Sequence, residues 1–198
     1  MGLKGENTPF VLSNNPKLQD QLNTWLNQLG IQYSINAENA NWKGSIVSGG
    51  DAVLLSLSPK NNPNTRVTLN DVGFGINQIL PIIVQALIQQ NGTLMIEQPE
   101  IHLHPKLQGE ISDLMIETHK KNNLNWIVET HSEMLILRLL KRIREGTLKS
   151  SDVSVIYVDQ TESGEAIIHK LPIDEKGSFV DRWPNGFFEE TFNELMDD

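Results

Sequence analysis

The chain has 198 residues, with 16 basic against 25 acidic side chains, a formal charge of −9 and no cysteine. That length suits one domain with its own core. The lack of cysteine excludes disulfides and thiolate metal centres, and the acidic balance argues against a surface dominated by nucleic-acid contacts.

The opening MGLKGENTPF lacks the apolar run of a secretory signal and the hydroxyl residue of a myristoylation signal. No stretch has the length of a bilayer span, so a cytoplasmic protein without membrane contact is expected. Over residues 14–35, Leu18, Leu22, Trp25, Leu26 and Leu29 recur at helical spacing, with Pro16 suited to the first turn and Gly30 to the position past the end. AVLLSLSP reads as a strand, KNNPNT as a turn and RVTL as another strand. From Ile76 the period becomes helical: Ile76, Leu80, Ile83, Leu87 and Ile88 share a face, and Pro81 is expected near the helix start, where a missing N–H costs least.

GTLMI then reads as a buried strand, and PKLQGEISDLMIETHKKN as a helix burying Leu107, Ile111, Leu114, Met115 and Thr118. NWIVET is the next strand. SEMLILRLLKRIREG is a helix with a serine cap and a terminal Gly146. Its basic residues, Arg138, Lys141, Arg142 and Arg144, fit a helix C-terminus better than a binding patch. VSVIYV and EAIIHKL are further strands, and the tail after Pro184 carries an amphipathic helix with Phe187, Phe188, Phe192 and Leu195. Alternating strands and helices from Thr93 onward predict an α/β fold with a mostly parallel sheet flanked by helices. In such sheets ligands bind beyond the carboxyl ends of the strands. Glu97 and His131 stand at two such ends.

Three stretches carry chemistry. In LMIEQPEIHLHP an apolar strand ends in Glu97, the form of a carboxylate that holds Mg²⁺ at a sheet edge. In DVGFGINQILP, Gly73 and Gly75 precede a helix start with Asn77 and Gln78; this suits either a backbone cradle for an anion or a tight strand-to-helix turn. In IVETHSEM, His131 follows a strand and Ser132 can cap the next helix, so the histidine is either structural or reaches a phosphate or attacking water.

In their order these stretches resemble the second half of an ABC-type ATPase head, in the branch of RecF/SMC-like and overcoming-lysogenization-defect (OLD) AAA-type ATPases. DVGFGINQ resembles the signature loop, TLMIEQPE the Walker B strand, IHLHP the D-loop and VETHS the switch-histidine loop. WPNGFFEETFNEL resembles the short tail of unknown function that ends one subgroup. The resemblance implies a partial P-loop NTPase fold. Residues 1–64 would be the middle segment of the head, 65–171 the signature and Walker B lobe, and 172–198 the tail. It also implies ATP and Mg²⁺ as cofactors, with Glu97 on the metal, and Glu97, Gln98, Glu100 and His131 as catalytic residues. Gly73, Gly75, Asn77, Gln78 and His104 would contact nucleotide.

Where the family reads Asp-Glu, this chain reads Glu97-Gln98. Glutamine cannot take a proton as a carboxylate does, which makes Glu100 a candidate substitute base and leaves the base open, with Gln98 or Glu100 orienting the attacking water. The sequence contains no G-x-x-x-x-G-K-[ST]; SGGDAVLL has the glycines but no Lys-Ser/Thr. A C-terminal piece of an ATPase is therefore expected, inactive alone and completed by a Walker A lobe or chain in an ABC-style homodimer. Nucleic acid or an effector protein would belong to the full system. A metal-dependent hydrolase built on His102, His104, His131 and the glutamates is the alternative. A non-catalytic interaction module is another.

Overall fold

Residues 6–39 and 52–184 are described by the structure, a computed structural model. The expected tail helix with Phe187, Phe188, Phe192 and Leu195, and the SGGD half of SGGDAVLL, lie outside them. Chain contacts define two compact units, residues 1–131 and 132–198.

The first unit opens with α1 (Thr8–Ser13) and α2 (Pro16–Gln28). Asn15 caps α2 by accepting the Leu18 N–H, Pro16 takes the first turn, and Gly30 ends it with φ of 72°. The predicted stripe Leu18, Leu22, Trp25, Leu26 and Leu29 is buried. β1 (Tyr33–Asn39) pairs antiparallel with β2 (Val53–Pro59). Neither α1 nor β1 is apparent in the sequence pattern. Two side chains of α2 satisfy the outer border of β1: Asn23 donates to the Ile35 carbonyl (2.9 Å) and accepts its N–H (2.7 Å), and Gln19 accepts the Ala37 N–H (2.8 Å).

RVTL does not form the expected strand. Only Val67 bridges Leu57, and a 3-10 turn at Leu69–Asp71 follows. The reason is local. Asp71 accepts both the Thr68 hydroxyl and the Thr68 N–H at 2.7 Å, which closes a capping box and bends the chain out of the sheet. Those same bonds, the hydroxyl first, hold the Asp71 carboxyl below the usual aspartate range.

α3 (Phe74–Ile88) carries Pro81 in its interior. This corrects the expectation that Pro81 lies near the helix start: the helix begins at Phe74, seven residues earlier. The cost of the lost N–H is met by burial, since Ile79, Leu80, Ile83, Val84 and Ala86 are all buried around it. The Ala86 carbonyl, near the end of α3, accepts the Asn122 side chain at 3.0 Å.

β3 (Gly92–Glu97), α4 (Pro105–Asn122) and β4 (Leu124–Glu129) then form a strand–helix–strand unit. β3 and β4 are parallel, in register from Gly92↔Leu124 to Glu97↔Glu129. Packing runs from the β1–β2 hairpin through α2 and α3 to α4, and from α4 to β4. α4 buries Ile111, Leu114, Met115 and Thr118, and Thr118 Oγ1 accepts the Trp126 indole N–H at 3.2 Å.

The expected burial of the two strands holds on one face only. Leu94, Ile96, Trp126 and Val128 are at least half-covered, whereas Met95 is 78% and Ile127 59% exposed. Those two are direct partners across the sheet. Leu114 is fully buried. Leu114→Ala should therefore lower the unfolding free energy by about 2–5 kcal/mol, read as a shift of the urea midpoint at constant slope.

The second unit starts with α5 (Glu133–Arg144), capped by Ser132, whose side chain accepts the Leu135 N–H; Gly146 follows the helix with φ of 69°. The basic residues of its last turn are locally engaged. Arg142 pairs with Glu145 at 2.6 Å, and Arg144 donates to the Gly177 carbonyl at 2.9 Å. β5 (Val155–Gln160) pairs antiparallel with β6 (Ala166–Leu171). Among the described residues β5 therefore does not extend a parallel sheet as expected. Tyr157, Phe179 and Trp183 pack edge to face beside this hairpin.

Candidate functional site

The carboxyl ends of β3 and β4 bring several candidate residues together. Glu97 ends β3 with its side chain exposed. Its register partner Glu129 ends β4, also exposed on the same face. Neighbouring strands lie about 4.8 Å apart, so two carboxylates sit side by side at the strand ends.

Beyond Glu97 the chain turns sharply. Gln98 (φ 46°) and His102 (φ 62°) both take the left-handed backbone that non-glycine residues avoid. Strain of this kind, about 1–3 kcal/mol each, persists where surrounding bonds enforce it. Here the Gln98 N–H donates to the Glu129 carbonyl at 2.8 Å, and the Leu103 N–H to the Glu100 carbonyl at 3.0 Å. Glu100 is 7% exposed. Its Oε1 accepts the His131 N–H at 2.7 Å, while Oε2 is buried and accepts no hydrogen bond among the described residues. His131 itself is exposed, two residues past the end of β4.

The glycine turn meets this loop from the other side. A Cβ on Gly75 would stand 2.9 Å from the His102 carbonyl oxygen and 3.0 Å from Leu103 Cδ2. Glycine is required there by the chain's own packing. Gly73, the N-cap of α3, has nothing within 4 Å of such a Cβ, and Gln78 is exposed. Asn77 turns inward and donates to the Leu69 carbonyl at 3.2 Å. His104 caps α4, its Nδ1 accepting the Lys106 N–H at 3.3 Å.

Glu129 is the site residue that sequence reasoning missed. The signal was present, since NWIVE ends in a carboxylate just as TLMIE does. Among the described residues no group of three or more histidine, aspartate or glutamate side chains could hold a metal ion. The metal-hydrolase alternative on His102, His104 and His131 thus has no ligand set, and His104 is already engaged as a helix cap.

Residues 8–136 match the family model described as AAA ATPase domain. The chain belongs to the AAA ATPase domain family. Residues 148–197 match a second model, described as Protein of unknown function (DUF3696). No curated protein matches the chain.

Solved structures similar to this AAA ATPase domain include a chain from work on SMC ATPases and two Smc heads. One chain comes from work on ATP-driven dimerization and DNA-stimulated activation of SMC ATPases; it is 11% identical, with a TM-score of 0.56 over 96% of this chain and 98% of that one. A second is an Smc head bound to the C-winged helix domain of ScpA, 12% identical, with a TM-score of 0.59 over 88% of this chain and 48% of that one. A third is an Smc head with an extended coiled coil bound to the C-terminal domain of ScpA derived from Pyrococcus furiosus, 13% identical, with a TM-score of 0.55 over 98% of this chain and 40% of that one.

At these identities the likeness is one of fold. The AAA ATPase domain has the α/β, P-loop NTPase-like architecture of the SMC ATPase head. The chain spans nearly all of the first relative and less than half of the other two. No helix among the described residues is long and apolar enough to cross a membrane.

Proposed function

We propose that this chain is the signature and Walker B half of an ABC-type ATPase head, active only when a Walker A lobe completes it in cis or in trans. The observation that carries the reading is the in-register pair Glu97 and Glu129 at the carboxyl ends of two parallel strands, beside a His131 loop fastened to Glu100. Within this reading residues 1–64 are the middle segment of the head, 65–171 the signature and Walker B lobe, and 172–198 the tail.

Exposed carboxylate oxygens suit a hard divalent cation such as Mg²⁺. Glu97 would hold it through its water shell, with Glu129 adding charge on the same face. When bound with ATP, the metal neutralises charge that develops in phosphoryl transfer. Gln98 or Glu100 orients the attacking water, and His131 contacts the terminal phosphate. Gly73, Gln78 and the first turn of α3 present backbone N–H groups to nucleotide held by an opposing subunit.

The partner surface is the uncovered face of β3 and β4. Met95 and Ile127 form an apolar row that runs directly into the Glu97–Glu129 row. A lobe seated on it brings its phosphate loop to the carboxylates. A Walker A lobe is the occupant we assign, because the apolar row is continuous with the proposed carboxylate site that a phosphate loop would have to reach. The SMC ATPases of the first relative dimerise under ATP and are activated by DNA, and the Smc heads bind ScpA. By analogy this chain would form an ATP-driven homodimer, with nucleic acid or an effector protein in the full system.

ATPase assays at millimolar ATP and Mg²⁺ test the reading. The chain alone should show no steady turnover, and adding or fusing a Walker A lobe should restore turnover. Steady hydrolysis by the chain alone, abolished in Glu97→Ala, would overturn the half-site assignment.

A further inference from the structure

We propose that Glu100 is a positioning residue that mechanically couples the His131 loop to the glycine turn at the start of α3. The inference rests on the reading above for its functional meaning, but the coupling belongs to the chain itself. Three contacts form one path. The His131 N–H donates to Glu100 Oε1 at 2.7 Å. The Glu100 carbonyl accepts the Leu103 N–H at 3.0 Å, which closes the turn that carries His102. The His102 carbonyl and the Leu103 side chain then stand against Gly75 so closely that a methyl group has no room.

The chemistry of Glu100 makes the path stiff. A carboxylate that is 7% exposed has little water to fall back on. Among the described residues its Oε2 accepts no hydrogen bond, so the bond from His131 is its main polar compensation. Letting go of His131 leaves a buried charge unsatisfied. The loop and the carboxylate therefore move together, and Glu100 carries residues 101–103 with it. The left-handed backbone at Gln98 and His102 gives the turn one well-defined shape to transmit. A change felt at the histidine, where a phosphate would be sensed, thus arrives at the turn that would face the opposing subunit.

Amide hydrogen exchange on the full chain without nucleotide tests this. Gly75→Ala pushes on the His102 carbonyl and should speed exchange of the His131 amide by about tenfold, within the range that contact coupling supplies. In Glu100→Ala the His131 amide should already exchange fast, and adding Gly75→Ala should change it no further. Glu100→Gln keeps an acceptor oxygen and should preserve the response to Gly75→Ala. Protection within β3 and β4 serves as the folding control. If Gly75→Ala does not fold, Leu103→Ala perturbs the same contact from the other side and is read in the same way. An unchanged His131 amide in the folded variant, or an equal response with and without Glu100, overturns the proposal. Failure to reconstitute an ATPase would sink the functional reading and leave this result standing.

Discussion

In the proposed reading, Glu97→Gln is expected to lower ATP turnover of the chain joined to a Walker A lobe by about 10²-fold or more, with nucleotide affinity changed far less. The substitution keeps the shape and removes the charge at the end of β3. A metal that neutralises developing charge is worth several kcal/mol to the transition state, and each 1.36 kcal/mol is a factor of ten in rate. Glu129→Gln, on the neighbouring strand, should cost less, because that side chain adds to the field and is not assigned to hold the metal shell. Glu100→Gln separates base from brace. A loss of about 10²-fold or more would make Glu100 the general base, whereas a small loss fits a side chain whose task is to hold the His131 loop. Steady-state rates over a range of ATP and Mg²⁺ concentrations distinguish these cases. Normal turnover in both Glu97→Gln and His131→Ala would refute the site.

The double substitution Met95→Lys, Ile127→Lys should leave the isolated chain close to its original stability and yet abolish capture of the Walker A lobe. Both side chains are largely exposed, at 78% and 59%, and exposed positions away from special features usually change stability by no more than about 0.5 kcal/mol. In the assembled head the same positions would lie in an apolar interface. Burying each native side chain is worth about 1.5–3 kcal/mol, and an unpaired ammonium in its place adds a desolvation penalty. The two together should weaken association by more than about 10³-fold, since every 1.4 kcal/mol is a factor of ten. Thermal melts of the chain alone and titration calorimetry with the partner lobe measure both halves of the expectation. Unaltered binding would move the interface elsewhere.

Much of the fold was legible because local signals were strong. α4 spans Pro105 to Asn122, the bounds read from its proline start and its apolar period. α5 has the serine cap and terminal glycine that its sequence announces. Tertiary context overrode the local rule at Pro81, where an apolar helix packed on all sides accepts a missing hydrogen bond in its interior. α1 has six residues and β1 offers only Ile35 and Ala37 as inward apolar positions, too little periodicity to see. GTLMI looked fully buried because an apolar run carries no mark of where its cover lies. For Met95 that cover is absent from the described residues. Of the site, the strand-end carboxylate and the histidine loop were readable from order alone. The bond from His131 to Glu100 spans 31 positions of sequence, and the Glu97–Glu129 pairing depends on register; spacing encodes neither.

The two sheets of the first unit finish their borders differently. On β1, the side-chain amides of Gln19 and Asn23 occupy backbone groups that would otherwise recruit a stray strand. β3 and β4 pair only with each other among the described residues, where His119 bonds the Leu124 carbonyl at the very start of β4. In the proposed reading, a half-head made ahead of its partner would carry one adhesive border, open to pairing with a second copy. The neighbouring row of Glu97 and Glu129 works against such stacking by setting like charges in line. In that reading, making both halves in the same cell would lessen the hazard by shortening the time the half-head spends alone.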